Sequence, residues 1–569
     1  MNSFNRRDFL RGASTLAGVF ALPISLTQLA QAQLGGAKLA PNPTKAEQIV
    51  RGVVYLDQDG SGKRLPNSKG IPNVRVSNGR DIVVTDAQGR YELSVSDDSI
   101  IFLQKPSGFR TSLDENNQPR FYHIHKPAGS PANFKYAGIA PTGALPVSLD
   151  FGLQPQTEPD QFRAVLWGDP QPRNLEEVDF IARDIAQELI GVKAAFGLSL
   201  GDNAFNNLST LEPLNDVTGQ LGIPWYSVIG NHDLNFEAPD DELSAETFKR
   251  VYGPTYYSFD YGSTHFVVLD NVKWLGPDTD LKNANYTGGF GEKQLAWLKN
   301  DLAGVPRDRF VVLFMHIPIA TAPDAPIPDV PGKPPRFIEA DRRAFLALLQ
   351  DCPNTLSISG HTHVQYHAYV GREEGWNGAE PHHHFNCGTT SGSWWSGAPD
   401  EQGIPNTTMR DGTPNGYAFL NVNGSSYTLD WQVARSKSDY QMTVYIPSEI
   451  EVARVATTPL QVNVFNGCPK TRVEYKVGNG AWATMQRVCD LDPGYANLKS
   501  IEEMVPAFDK TERKKKAKTP WRALPEIEPT PHLWRTPIPA LPAGAHTVDI
   551  RVTDQWNRVF EERRLVRVV

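Results

Sequence analysis

A chain of 569 residues, 40% of them apolar and 21% charged, has an ordinary globular composition and enough length for several hydrophobic cores. Its formal net charge of −8 argues against generic binding of nucleic acid or of anionic membrane. Four cysteines are too few for a disulfide-dependent scaffold, and none is assigned as a catalytic thiol.

The first segment reads Asn5-Arg6-Arg7-Asp8-Phe9-Leu10-Arg11, then a mildly apolar stretch from Gly12 to about Leu29, then Ala30-Gln31-Ala32. Residues 1–32 resemble a bacterial twin-arginine export signal cleaved after Ala32. Ser14, Thr15, Pro23, Ser25, Thr27 and Gln28 make the stretch too polar for a membrane span of ~20 apolar residues, and no other segment approaches that length. The resemblance implies the twin-arginine export machinery as a partner, a periplasmic or secreted destination, and a protein exported already folded. Loss of Arg6, Arg7 and Arg11 with only Asp8 leaves the mature chain more acidic.

Residues 45–155 read as all-β, with short alternating runs such as Val74–Val76, Ile82–Val84 and Tyr91–Val95. Asn78-Gly79 and Gln88-Gly89 stand between them as turn signals, and a small β-sandwich follows. The segment GRDIVVTDAQGRYEL resembles the transthyretin-like sandwich modules of secreted enzymes. Within it, Asp57-Gln58-Asp59-Gly60-Ser61-Gly62 has the acidic positions 1 and 3 and the glycine at 6 of a calcium loop. Position 12 is Ser68 where an EF-hand needs a bidentate Glu, so the segment is read as an acidic turn.

Residues 160–435 change to an α/β pattern. Buried-strand runs recur at Phe162–Trp167, Ala194–Leu200, Trp225–Ile229, His265–Leu269, Phe310–Met315 and Thr355–Ile358. Between the first two lies a helix with Asn174 as N-cap, Glu177 at the capping-box position, and Val178, Ile181, Ile185 and Leu189 on one face. Residues 438–569 return to short strand-like runs, Gln461–Phe465, Arg472–Val477, His546–Thr553 and Arg563–Val568, and predict a second β-sandwich. Cys468 and Cys489 flank a predicted hairpin, where one disulfide or two small buried side chains are equally compatible with the pattern. The basic run Lys510–Lys518 is read as a solvated loop.

The chemistry lies in the loops that follow the central strand runs. Asp169-Pro170-Gln171 comes after Trp167-Gly168, Gly201-Asp202-Asn203 after Ser199-Leu200, and Gly230-Asn231-His232-Asp233 after Val228-Ile229. His316 follows Phe314-Met315, and Gly360-His361-Thr362-His363 follows Ile358-Ser359. Oxygen and imidazole groups at the carboxyl ends of several strands are what divalent ions acting on phosphate require. One histidine after a strand is more often structural, but an ordered series of such groups is not.

This series resembles the calcineurin-like metallophosphoesterases, with their D-x-H, G-D, G-N-H-[DE], H and G-H-x-H pattern. The resemblance implies a two-sheet α/β catalytic domain between all-β sandwiches. It also implies two divalent metal ions (Mn, Fe or Zn), with Asp169, Gln171, Asp202 and His363 holding the first. Asp202 would bridge to the second, completed by Asn231, His316 and His361. His232 would be the general acid and Asp233 its orienting partner, while a hydroxide activated by the two ions attacks phosphorus. Gln171 departs from the usual histidine, but a DPQ triplet occurs in a subgroup of the family. That subgroup is also resembled by Tyr256–Asp270, Gly288–Leu302 and the turn Asp411–Tyr417.

His382, His383 and His384 invite a metal reading, but in a strand alternate members face opposite ways. Asn203, Trp394 and Trp395 are candidate substrate contacts; for the two tryptophans, loop packing is the competing reading. The implied function is an exported phosphoesterase acting on phosphomonoesters or phosphodiesters, its substrate a phosphorylated small molecule or an envelope phosphoester. Alternatives are a protein phosphatase, or an envelope- or carbohydrate-binding protein with a structural metal centre.

Overall fold

A computed structural model of the protein describes residues 47–277, 285–322, 329, 331–505, 508–510, 515–517 and 520–569. The export signal lies outside the described residues, as do the side chains of Lys510–Lys518. Among the described residues, no helix is long and apolar enough to cross a membrane.

The centre is a pair of sheets. In the first, Trp225–Ser227, Phe196–Ser199 and Gln161–Trp167 run parallel, and the antiparallel strands Gly416–Asn423 and Ser426–Val433 extend the edge. In the second, Thr264–Val268, Phe310–Phe314, Thr355–Ser359 and His382–Asn386 run parallel, with Tyr257–Tyr261 and Tyr366–Val370 antiparallel at the two edges. Gln161–Trp167, Phe196–Ser199, Thr264–Val268 and Phe310–Phe314 are mostly apolar because both faces are covered, which is why periodicity located them to within one or two residues, whereas His382–Asn386 is equally buried but polar.

The helix after the first strand begins at Leu175, and the Asn174 side chain accepts from Glu177 N at 3.0 Å. Glu177 reaches one residue farther back than a capping box does, to Arg173 N at 2.7 Å. The helix widens into a π turn over Ala182–Ala186, yet Val178, Ile181, Ile185 and Leu189 stay buried on one face.

Before the centre, two four-stranded sheets include Gln48–Leu56, Arg75–Ser77, Arg90–Val95 and Ser99–Gln104. Val54, Val76, Phe102 and Leu153 share one apolar cluster with Phe266, Val312 and Leu356 of the central sheets, so no solvent layer separates these cores. After the centre, a four-stranded and a five-stranded sheet enclose a separate cluster that includes Val462, Val473, Trp534, Ile550 and Val566. Cys468 and Cys489 are not bridged. The Cys468 sulfur accepts instead from Lys470 N at 3.3 Å, and Thr471 Oγ1 and Tyr369 Oη lie 3.6 Å from it.

Candidate metal centre

Because the ligand-bearing loops all leave the carboxyl ends of parallel strands, the topology brings together residues up to 194 positions apart, from Asp169 to His363. The loops interlock closely. A Cβ on Gly360 would stand 2.3 Å from Asp169 Oδ1, and one on Gly230 would stand 2.0 Å from Asp202 N, so the glycines of both motifs are demanded by the approach of neighbouring loops. Asp169, Gln171, Asp202, His361 and His363 all adopt left-handed backbone, with φ of 38°, 43°, 51°, 78° and 54°. Such conformations cost non-glycine residues of order 1–3 kcal/mol and persist where the surroundings impose them, typically at functional sites.

Two donor groups result. In one, Asn231 Oδ1, His361 Nδ1 and Asp202 Oδ2 lie 3.0, 3.1 and 3.3 Å from His316 Nε2. Asp202, His316 and His361 form a cluster able to hold a metal ion. In the other, His363 Nε2 stands 3.4 Å from Asp169 Oδ2, and the Gln171 amide nitrogen donates to Asp202 Oδ2. Asp169 Oδ2, His363 Nε2 and Gln171 Oε1 are buried without a hydrogen-bond partner. Orphaned buried donors and acceptors are rare and costly, and three of metal-ligating type in one place fit divalent ions.

The hydrogen bonds also settle which imidazole nitrogens are available. His316 Nδ1 faces the Leu200 carbonyl at 2.8 Å and His363 Nδ1 faces the Gly392 carbonyl, so each Nδ1 carries a proton and Nε2 is the nitrogen that would meet an ion. Burial disfavours charge at both Asp202 and His316. Their mutual attraction more than offsets it in each, with His232 also acting on Asp202, leaving the Asp202 carboxyl well below the usual range and His316 raised to about 9.

Three family models match the chain. One is described as calcineurin-like phosphoesterase and covers residues 168–365; those for the C-terminal and N-terminal parts of calcineurin-like phosphoesterase cover residues 384–560 and 58–138. The chain belongs to the calcineurin-like phosphoesterases. These are hydrolases of phosphate esters that use divalent metal ions. The chain is 32% identical over 100 residues to a protein of Arcobacter nitrofigilis named "Probable glycerophosphodiester phosphodiesterase GpdQ", a match taking in 17% of this chain and 32% of the relative. The matched stretch therefore spans about a third of that curated relative's length. Among solved structures, the purple acid phosphatase PPD1 of yellow lupin (Lupinus luteus) seeds overlays 70% of this chain and 89% of its own. The identity is 12% and the TM-score 0.35, too loose a superposition to carry an argument.

The fold places His232 beside these donors, its backbone N–H donating to Asp202 Oδ1 at 2.8 Å. The ring stacks on Phe205 at 4.4 Å, and its Nδ1 meets Asn206 Oδ1. An oxygen can only accept, so Nδ1 carries hydrogen and Nε2 is the nitrogen left to exchange a proton. The orienting role expected of Asp233 is therefore corrected. Both oxygens of its fully buried carboxylate are taken up by the N–H groups of Asn203, Ala204 and Gly230. Burial, with Asp202 nearby, raises this carboxyl to about 7.

The candidate substrate contacts divide. Trp394 lies at the site with its ring stacked on His363 at 4.0 Å and the Arg410 guanidinium 5.2 Å from its centre. Trp395 does not face a substrate. It packs beside Phe180 in the cluster beneath the site and spends its N–H on the Pro170 carbonyl at 3.0 Å. Asn203 is buried; its amide nitrogen donates to Val228 O and Asp233 Oδ2 and so braces two loops, while its Oδ1 has no partner. The metal reading of the triple histidine also falls. His382 and His384 alternate with Thr355, Ser357 and Ser359 in a buried ladder of 2.7–3.0 Å bonds, while His383 pairs with His367 and Tyr427. Burial pushes His382 and His384 down to about 3, so both are neutral.

Two positioning residues escape a reading of motifs. Asn206 orients His232. Asn271 Oδ1 accepts from His316 N and Ile317 N at 3.2 and 2.9 Å, while its Nδ2 donates to Ile317 O. Asn271 does lie just past the strand Thr264–Val268, the placement that singled out the ligands.

Proposed function

We propose that this chain is an exported, metal-dependent phosphoesterase that holds two divalent ions at neighbouring sites sharing Asp202. Asp169, Gln171, Asp202 and His363 hold one ion, and Asp202, Asn231, His316 and His361 hold the other. The observation that carries this reading is the gathering of partnerless Asp169 Oδ2, Gln171 Oε1 and His363 Nε2 beside the donors around His316 Nε2. When bound, such a pair supplies an ionised water as nucleophile and positive charge against the phosphoryl oxygens.

The chain's own contribution is orientation and a proton. His232, fixed by Asn206 and Phe205, presents Nε2 toward the departing alkoxide and protonates it. A purely structural metal centre has no use for a histidine held in this way, which favours the enzyme over a binding module. Arg6-Arg7 and Ala30-Gln31-Ala32 support export, and the relative named as a glycerophosphodiester phosphodiesterase supports diesters among the substrates.

The test is hydrolysis of an aryl phosphate and a bis-aryl phosphate before and after chelation, with Mn²⁺, Zn²⁺ and Fe²⁺ added back separately. Activity should vanish on chelation and return with at least one ion. Turnover of both substrates that ignores the chelator would refute the reading.

A further inference from the structure

A second place in the molecule carries the signature of the metal centre. The strand Gln48–Leu56 runs into Asp57, which is 2% exposed and is held by its backbone N–H to Leu153 O at 2.9 Å. Its Oδ2 accepts from Gly62 N at 3.2 Å and from Gln154 Nε2 at 3.1 Å, closing the turn Asp57–Gly62 around the carboxylate. Its Oδ1 is buried and has no partner at all. A lone carboxylate oxygen in that state is costly unless a cation meets it. The same state marks Asp169 Oδ2 at the metal centre.

The surroundings supply more oxygen and little positive charge. Asp59 lies two residues on in the same turn, its Oδ1 accepting from Ser61 N at 3.1 Å. Gly60 and Gly62, with φ of 70° and 67°, wrap the backbone at two positions where side chains are disfavoured. Burial, with Asp57, Asp150 and Asp59 acting the same way and Arg64 against it, raises the Tyr55 phenol to about 12. Arg64 is engaged by Asp150 at 3.3 Å.

We propose that the turn Asp57–Gly62 binds a calcium ion through Asp57 Oδ1, the Asp59 carboxylate and backbone carbonyl oxygens of the turn. All-oxygen donors on a flexible, partly exposed loop suit Ca²⁺ better than the rigid octahedron that Mg²⁺ demands. Ser68, at the position where an EF-hand closes with glutamate, uses its hydroxyl to accept from Leu65 N at 2.9 Å. With two carboxylates and no such closure, the affinity falls at the weak end, ~10⁻⁴–10⁻³ M. The ion would pin the turn Asp57–Gly62 against the neighbouring strand Phe151–Pro155 of the same sheet, whose Gln154 already reaches Asp57, away from the phosphoesterase ligands.

The experiment is equilibrium dialysis of the full chain against ⁴⁵Ca²⁺ up to ~10 mM, comparing wild type, Asp57→Asn, Asp59→Asn and Asp202→Ala. Wild type and Asp202→Ala should take up a common equivalent that both loop variants bind at least ~10-fold more weakly. The loop variants should also keep wild-type phosphoesterase activity. Asp59 is exposed, so its variant reads the site even if Asp57→Asn misfolds. Equal uptake by wild type and Asp59→Asn, or uptake lost only in Asp202→Ala, overturns the proposal.

Discussion

At the scale of single residues, Gln171 is the most informative ligand position. Its Nε2 is spent on Asp202 while its Oε1 is buried without a partner, which leaves one amide acceptor uncommitted at the site. A neutral amide oxygen binds a borderline cation more weakly than imidazole does. Gln171→His should therefore retain one equivalent of metal longer through dialysis, Gln171→Ala should lose it ~10–100-fold more readily, and Asp202→Ala should lose both. Elemental analysis of metal per chain decides, and two equivalents in all three variants would end the assignment. His232 predicts the opposite pattern. His232→Ala should keep its metal while kcat falls ~10²–10⁴-fold, less for leaving groups of low pKa. Equal losses across leaving groups of very different pKa would show that His232 is not the acid.

At the scale of elements, the helix Gly291–Ala303 joins the N-terminal sandwich to the centre through one carboxylate. Asp301, fully buried, receives Gln104 Nε2 at 2.7 Å and Ser258 Oγ at 2.9 Å, and pairs with His265 Nε2 at 2.9 Å. Arg75 Nη2 lies 3.3 Å from the same carboxylate. His265 also meets Asp260 at 2.7 Å; burial works against its charge, yet the two carboxylates raise it to about 9. A folded-state value above the ordinary 6.5 means that this stabilisation is complete below about pH 6.5 and is lost as pH rises through about 9. Wild type should lose stability over that window, and His265→Gln should flatten the loss, as measured by denaturant unfolding at a series of pH values. Asp301→Ala should cost ~1–3 kcal/mol at neutral pH, because Gln104 and Ser258 lose their buried acceptor while His265 keeps Asp260. Identical pH profiles for wild type and His265→Gln would remove this account of the junction.

At the scale of the whole molecule, the C-terminal sandwich braces the metal loops without supplying a ligand. His532, completely buried, faces Asp411 Oδ2 at 3.1 Å and Asn463 Oδ1 at 2.7 Å. Asp411 Oδ2 in turn accepts from Gln365 N at 2.8 Å, two residues beyond His363, while Arg410 donates to Thr362 O between the two ligand histidines at 2.7 Å. His532→Ala should thus destabilise the fold by ~1–3 kcal/mol and also speed loss of metal in dialysis. Unfolding midpoints give the first effect and metal content the second. A destabilised variant that holds metal like wild type would confine the sandwich to a packing role.

The primary structure by itself determined the central strands and singled out the polar residues that gather at the candidate metal centre. Strands buried on both faces must be continuously apolar, and in a parallel sheet every polar group just past such a run lies at the same edge. Asp169, Asp202, Asn231, His316 and His361 were legible for that reason, from residues adjacent in the chain. What the tertiary structure alone decided are the partners of those groups. Asn206 rather than Asp233 orients His232, Trp395 and the three consecutive histidines point inward, and one oxygen of Asp57 is left bare. These depend on left-handed backbone at Asn206 and Trp395 and on contacts between residues far apart in sequence, such as Trp395 with Pro170. Local periodicity records which face of an element is buried, but it carries no information about which atom waits on the other side.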